Sequence, residues 1–217
     1  IYDSQGESRK AIEYFFKSLK IREQVGEKFA IAHSQFKIGS VYMNSGDISK
    51  ALEYFNKSLK IREDINDKEG ISYCLNWIGQ IYNNRGETDN SLKYFQRSLQ
   101  LSKEIDDKKG EISSLNFVAE IMLTNGNIVK AQENAYQGFE LAKELGFPEF
   151  IVQTTSTLKK IYQKQGKYKD ALKMYEFEIQ MRDSINNQET RKNTIKKQFQ
   201  YEYEKQATAD SVKHAEE

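Results

Sequence analysis

The chain has 217 residues with 33 basic and 32 acidic side chains, a net charge of +1, 38% hydrophobic and 30% charged residues. That balance excludes a nucleic-acid binder working through a basic excess, and no apolar run approaches the roughly 20 residues that a membrane-spanning helix needs. One cysteine and two histidines cannot supply a zinc site of the usual four-ligand kind.

In chain order, five glycines recur at forty-residue intervals, Gly6, Gly46, Gly86, Gly126 and Gly166, each followed five residues later by a small residue: Ala11, Ala51, Ser91, Ala131 and Ala171. A fixed period of this length means one supersecondary unit stacked on copies of itself. Ile1-Tyr2 stand in the register of Val41-Tyr42, so the chain is expected to open at the end of a first helix, with a second helix at about 7 to 25. Four helix pairs are predicted at 29–65, 69–105, 109–145 and 149–185. Their apolar residues fall at three- and four-residue steps, as in Ala51, Tyr54, Phe55, Ser58 and Leu59 or Ile38, Val41 and Tyr42, a stripe along a helix and not the alternation of a strand.

Within each pair the break contains a glycine suited to a left-handed residue, and Asp47 and Asn127 are placed to cap the next helix. Gly39, Gly79 and Ala119 let paired helices approach closely, while Lys159 interrupts that series and predicts looser packing in the last pair. Pro148 fits the first turn of a helix. The repeated tyrosines Tyr14, Tyr42, Tyr54, Tyr82, Tyr94 and Tyr162 lie on the buried stripe.

Ile38-Gly39, Tyr42, Gly46, Ala51, Phe55 and Ser58 resemble the tetratricopeptide (TPR) pattern of Leu-Gly, Tyr, Gly, Ala, Phe and a small residue. The resemblance covers residues 1 to about 185 and departs in length, since the usual repeat has about 34 residues, and in lacking the closing proline. It implies an all-α, right-handed superhelical solenoid of antiparallel helix pairs. The expected domains are a solenoid over 1–187 and a C-terminal capping or connecting helix over 188–217, where Ile195, Phe199 and Tyr203 form a narrow stripe able to cover the end of the array.

Catalytic constellations are missing from the sequence: there is no Gly-rich phosphate loop, HExxH, CxxC or GxSxG motif. No catalytic residue, metal site or cofactor is assigned. Cys74 reads as a small buried hydrophobe, and acidic pairs such as Asp106-Asp107 read as solvated turns.

The TPR resemblance implies that first helices line a concave groove. Facing away from Ile38, Gly39 and Tyr42 are His33, Phe36, Lys37 and Ser40; the next pair presents Tyr73, Asn76, Trp77, Gln80, Asn83 and Asn84, and the third Ser113, Asn116, Phe117 and Glu120. Amides there can pair with the backbone of an extended peptide. Phe36, Trp77 and Phe117, read as one stripe across successive units, are either anchors for a partner or unit-on-unit packing.

Forty-residue TPRs of this kind look like those of bacterial signalling proteins and eukaryotic adaptors. The expected function is therefore protein or peptide binding, as the sensory region of a larger bacterial signal-transduction protein. The alternatives are a free-standing cytoplasmic adaptor or peptide-pheromone receptor, and the non-catalytic part of a kinase or cyclase. The same resemblance implies an extracytoplasmic location on a membrane-anchored sensor, with a cytoplasmic location as the alternative; self-association through the C-terminal helix is a further expectation.

Overall fold

The structure, a computed structural model, describes the backbone of residues 2–189 and 192, and side chains from Ile12 onward within that span. It consists of α1 (Tyr2–Val25), α2 (Lys28–Asn44), α3 (Ile48–Asp64), α4 (Lys68–Asn84), α5 (Thr88–Glu104), α6 (Lys108–Thr124), α7 (Ile128–Glu144) and α8 (Pro148–Lys164), followed by a ninth helix, α9, over 168–189. No strand occurs among the described residues. Each of α2 to α8 has 17 residues, and each turn between them has three. The surplus over the usual repeat of about 34 residues therefore lies in the helices and not in the turns.

The turns are copies of one another. Gly46, Gly86, Gly126 and Gly166 have φ of +83°, +77°, +78° and +71°, and the turns between pairs place Asn66 at +56°, Asp106 at +57° and Gly146 at +66°. The backbone thus repeats every twenty residues, although the glycines in sequence repeat every forty, because Asn and Asp are the other residues that tolerate this conformation. The N–H three residues past the helix donates back across the turn in the Schellman manner, as from Asp47 to the Tyr42 carbonyl at 2.9 Å and from Asp67 to that of Arg62 at 2.8 Å. Asp47 and Asn127 cap as expected, accepting from the N–H of Lys50 and Lys130, and Pro148 opens α8.

Two expectations at the ends are corrected. Gly6 makes no turn but lies inside α1. Only five residues precede it in this sequence, too few to fold back as a paired helix, and a glycine inside a helix costs only about 1 kcal/mol. The helix expected to end near 185 runs on to 189. Arg182 stands three forty-residue periods after Arg62, but residue 187 is Asn where Asp67 receives Arg62, and Arg182 instead donates to Glu178 in its own helix at 2.8 Å. The stripe of Ile195, Phe199 and Tyr203 lies outside the described residues.

By contact the chain divides into two compact units, 1–141 and 142–217, the division falling near the end of α7. In the first unit α1 packs on α2, α2 on α3, α3 on α4, and α4 on both α5 and α6. The seam between paired helices depends on missing side chains: a Cβ on Gly39 would stand 2.9 Å from the Phe55 ring, and one on Gly79 3.0 Å from Phe95. Phe55 and Phe95 fill those seams and are fully buried. Outside them, tyrosines stack in pairs, Tyr42 on Tyr54 at 5.7 Å and Tyr82 on Tyr94 at 5.3 Å. Tyr14 does not join a core, being 72% exposed. Its counterpart of Tyr42 would be Tyr2, which continuous α1 carries on the same helix.

A buried polar spine runs beside this aromatic seam. Ser72 Oγ lies 2.8 Å from Ser98 Oγ and 2.9 Å from Ser102 Oγ, and Ser114 Oγ donates to Ser98 Oγ at 3.0 Å. One pair earlier, Ser58 donates to the Ala32 carbonyl at 2.8 Å and receives Arg62 Nε at 3.1 Å. Every hydroxyl is satisfied, as burial requires. Cys74 is buried beside Ser58 as expected, and burial pushes its thiol pKa up.

In the second unit the same positions turn ionic. Lys159 does not leave a bare gap; its Nζ lies 2.6 Å from Glu178 and 5.0 Å from the centre of the Tyr175 ring. Glu178 replaces the serine found at positions 58 and 98. Burial works to raise its pKa, but hydrogen bonds from Lys159 and Arg182 outweigh that and hold it below the usual carboxylate value.

Candidate functional site

The first unit holds a pocket of about 380 Å³ between α2 and α4. Each wall follows from helix spacing. Phe29, His33 and Phe36 project from one face of α2 at steps of four and three residues; Glu69, Tyr73 and Trp77 project from α4 at steps of four. The floor is Gly70 and the guanidinium of Arg62. A side chain on Gly70 would overlap that guanidinium, so the glycine is what lets Arg62 lie flat beneath the aromatic walls.

Arg62 is 6% exposed, and its charge is paired. It forms an ion pair with Asp67 and a bond to Ser58, and its Cζ lies 5.9 Å from the ring centres of both Phe29 and Phe36. Asp67 uses its other oxygen to cap the Gly70 N–H at 3.0 Å. Helix cap, ion pair and pocket floor are one connected structure.

Trp77 belongs to both of the surfaces left open by its sequence. One face stacks on Phe55 at 5.7 Å and 21°, and the half-buried remainder lines the pocket. Phe117 repeats the first contact forty residues later, stacking on Phe95 at 4.6 Å and 16°. Phe36 is not a third member of this stripe. It sits one position out of register, where Lys37 is the counterpart of Trp77, and it meets Phe55 from the other side at 5.3 Å.

Of the residues expected to line a groove, His33, Phe36, Tyr73 and Trp77 converge on the pocket, and Lys37 stands exposed beside it. Ser40 turns its hydroxyl to the Phe36 carbonyl. Gln80 is half-buried, and Asn83 and Asn84 are exposed at the end of α4, away from the pocket lining. Asn76 and Asn116 are only 7% and 6% exposed, and Asn76 accepts from Ser114 inside the polar spine. Their amides are on the inner side of the helices, where an extended peptide would not reach them. Ser113, Phe117 and Glu120 are half-buried on α6 and contribute nothing to the pocket.

Sequence reasoning missed Phe29, Arg62, Asp67, Glu69 and Gly70. A signal was present: Arg22 and Arg62 recur at the repeat period and the next copy has Ser102. Asp107 also proves more than a solvated turn. It caps Gly110 with one oxygen at 3.0 Å, while its other oxygen is buried with no hydrogen-bond partner.

None of the helices among the described residues is long and apolar enough to cross a membrane, and no group of three or more potential metal ligands occurs among them. The chain is similar in fold to several solved structures. BtubC (BKLC) from P. vanneervenii superposes with a TM-score of 0.74 at 17% identity, over 85% of this chain and 76% of that one. A Rap protein complexed with competence and sporulation factor gives 0.71 at 19%, over 82% of this chain and 50% of that one. A signal transduction ATPase with numerous domains (STAND), bearing a tetratricopeptide repeat sensor, from Pyrococcus horikoshii, gives 0.71 at 15%, over 83% and 29%. No curated protein matches the sequence. The tetratricopeptide repeat model matches residues 1–64 and 72–144, more than half of the sequence, and with the helix pairs and glycine-aromatic seams above it establishes that this chain belongs to the tetratricopeptide repeat family.

Proposed function

We propose that this chain is a protein- or peptide-binding scaffold that takes its partner on the α2–α4 face, and that it serves as the sensory or interaction region of a larger bacterial signal-transduction protein. The observation that carries the reading is the pocket itself. Four aromatic residues, Phe29, Phe36, Tyr73 and Trp77, wall a space that no side chain of the described residues fills, and Phe29 and Tyr73 remain 61% and 42% exposed. Aromatic side chains around a desolvated pocket are the usual energetic centre of a protein interface. The signalling context draws support from structures of similar fold that include a Rap protein complexed with competence and sporulation factor and a signal transduction ATPase with a tetratricopeptide repeat sensor.

The test is Tyr73→Ala beside Trp77→Ala, each assayed for partner affinity and for stability. Tyr73 has no stacking partner in the core, so its truncation is expected to weaken binding by about 2 kcal/mol while leaving the melting temperature nearly unchanged. Trp77→Ala is expected to lower both, losing about 3 kcal/mol of stability with the Phe55 stack. Partner affinity that survives both changes would move the binding surface elsewhere.

A further inference from the structure

The charges around the pocket differ in sign on its two sides, although only Glu69 and the Arg62–Asp67 pair themselves line it. Toward α2 stands His33, and the charges bearing on its imidazole are all positive, Lys37, Arg62 and Arg22; burial first, then these cations, hold its pKa down. Arg62 is neutralised by Asp67. Arg22 is held instead by the Ser34 hydroxyl and the Ala30 carbonyl, so neither it nor exposed Lys37 has a carboxylate partner among the described residues.

Toward α4 stands Tyr73, and the charges bearing on its hydroxyl are both negative, Asp107 and Glu69; burial first, then these carboxylates, push its pKa up. Neither is in an ion pair among the described residues. The repeat explains the excess at Asp107. Its counterpart Asp67 is matched by Arg62, but forty residues on the arginine position is Ser102, which is engaged with Ser72. One carboxylate of the pattern keeps its place and loses its cation.

Between the rims the space is about 380 Å³ and largely aromatic, at the small end of the roughly 300–1,000 Å³ range of ligand pockets and suited to one large side chain. Along an extended peptide, residues two apart point to the same side, so neighbours at that spacing from a seated side chain would face the two rims. We propose that the pocket takes an extended peptide with a large apolar residue flanked, two positions to either side, by an acidic residue toward Lys37 and His33 and a basic residue toward Glu69, with the buried charge of Asp107 behind it. This deepens the binding reading above and rests on it.

Trp77 is the only tryptophan in the chain, so its emission reports the pocket directly. Three acetylated, amidated heptapeptide sets, each with central Leu or Phe and with Asp/Lys, Asp/Asp or Lys/Lys at the flanking positions, are titrated into the full chain at low salt, with calorimetry in parallel. The mixed-charge peptides should bind about tenfold more tightly than either like-charged set. Glu69→Lys should move the preference to Asp/Asp peptides, and Lys37→Glu to Lys/Lys peptides, with helical content unchanged in both variants. Equal affinity across the three sets, or a ranking that neither substitution alters, overturns the charge assignment while leaving the pocket a binding site. Absence of binding by any set in both readouts overturns the assignment and the binding reading together.

Discussion

Gly86 and Asn66 hold nearly the same backbone conformation, at φ of +77° and +56°, in two turns that the sequence presents differently. A side chain at Gly86 would meet no atom within 4 Å, so any cost of substitution there is conformational and not steric packing. Gly86→Val should lose about 1–2 kcal/mol, because a β-branched residue is forced into the left-handed region. Gly86→Asn should lose clearly less, since the chain already uses Asn66 for this purpose. Urea melts of the two variants decide the matter; equal losses would mean that the turn does not hold its left-handed conformation. The same pair of residues shows why the twenty-residue backbone period was hidden. Glycine marks every turn within a pair, but of the turns between pairs only those at Gly26 and Gly146 carry it, and Asn66 and Asp106 hold the same conformation in the rest.

At the scale of the element, α3 and α4 are joined by more than their turn. Arg62 in the last turn of α3 meets Asp67, the N-cap of α4, and both sit against Ser58 and Gly70. Asp67→Ala removes a helix cap and strands a guanidinium that is 6% exposed, for which a loss of about 3–5 kcal/mol is expected. Adding Arg62→Met should restore part of that loss, since a flexible apolar side chain in place of the unpaired cation relieves its desolvation. Thermal melts of the single and double variants measure the coupling, and strictly additive losses would show that the two residues act apart. This link also marks the limit of what the sequence made legible. Helix positions, the glycine turns, the Asp47 and Asn127 caps and the buried Phe55 followed from periodicity, which reports which face of a helix is apolar. The pocket did not, because its floor is a charged residue lying under aromatic rings, and apolar periodicity passes over a charge even where, as at Arg62, it stands on the buried stripe. Asn76 and Asn116 misled in the opposite sense: amides look like ligands for a peptide backbone, and here both are buried, Asn76 receiving Ser114 of the serine spine.

At the scale of the whole molecule, the identical turns have a genetic consequence. Helix length and the left-handed turn residue recur from α2 to α8, so an unequal crossover between two copies of the repeat in the gene yields a shorter or longer protein with no junction out of phase. Excising 67–106, for example, fuses Asn66 to Asp107 and brings Arg62 to an aspartate that already caps a helix beginning with the glycine that the guanidinium requires, Gly110 in place of Gly70. Phe55 would then meet Phe117 where it now meets Trp77. The excised protein should express as a helical, cooperatively melting chain of lower stability, and circular dichroism with a thermal ramp is enough to see it; a chain without ordered helix would mean that the copies are not exchangeable. The aromatic box at α2–α4 would vanish with Tyr73 and Trp77 while the scaffold survived. In such an architecture, recognition can be deleted, duplicated or transplanted by the genome without a folding problem having to be solved again.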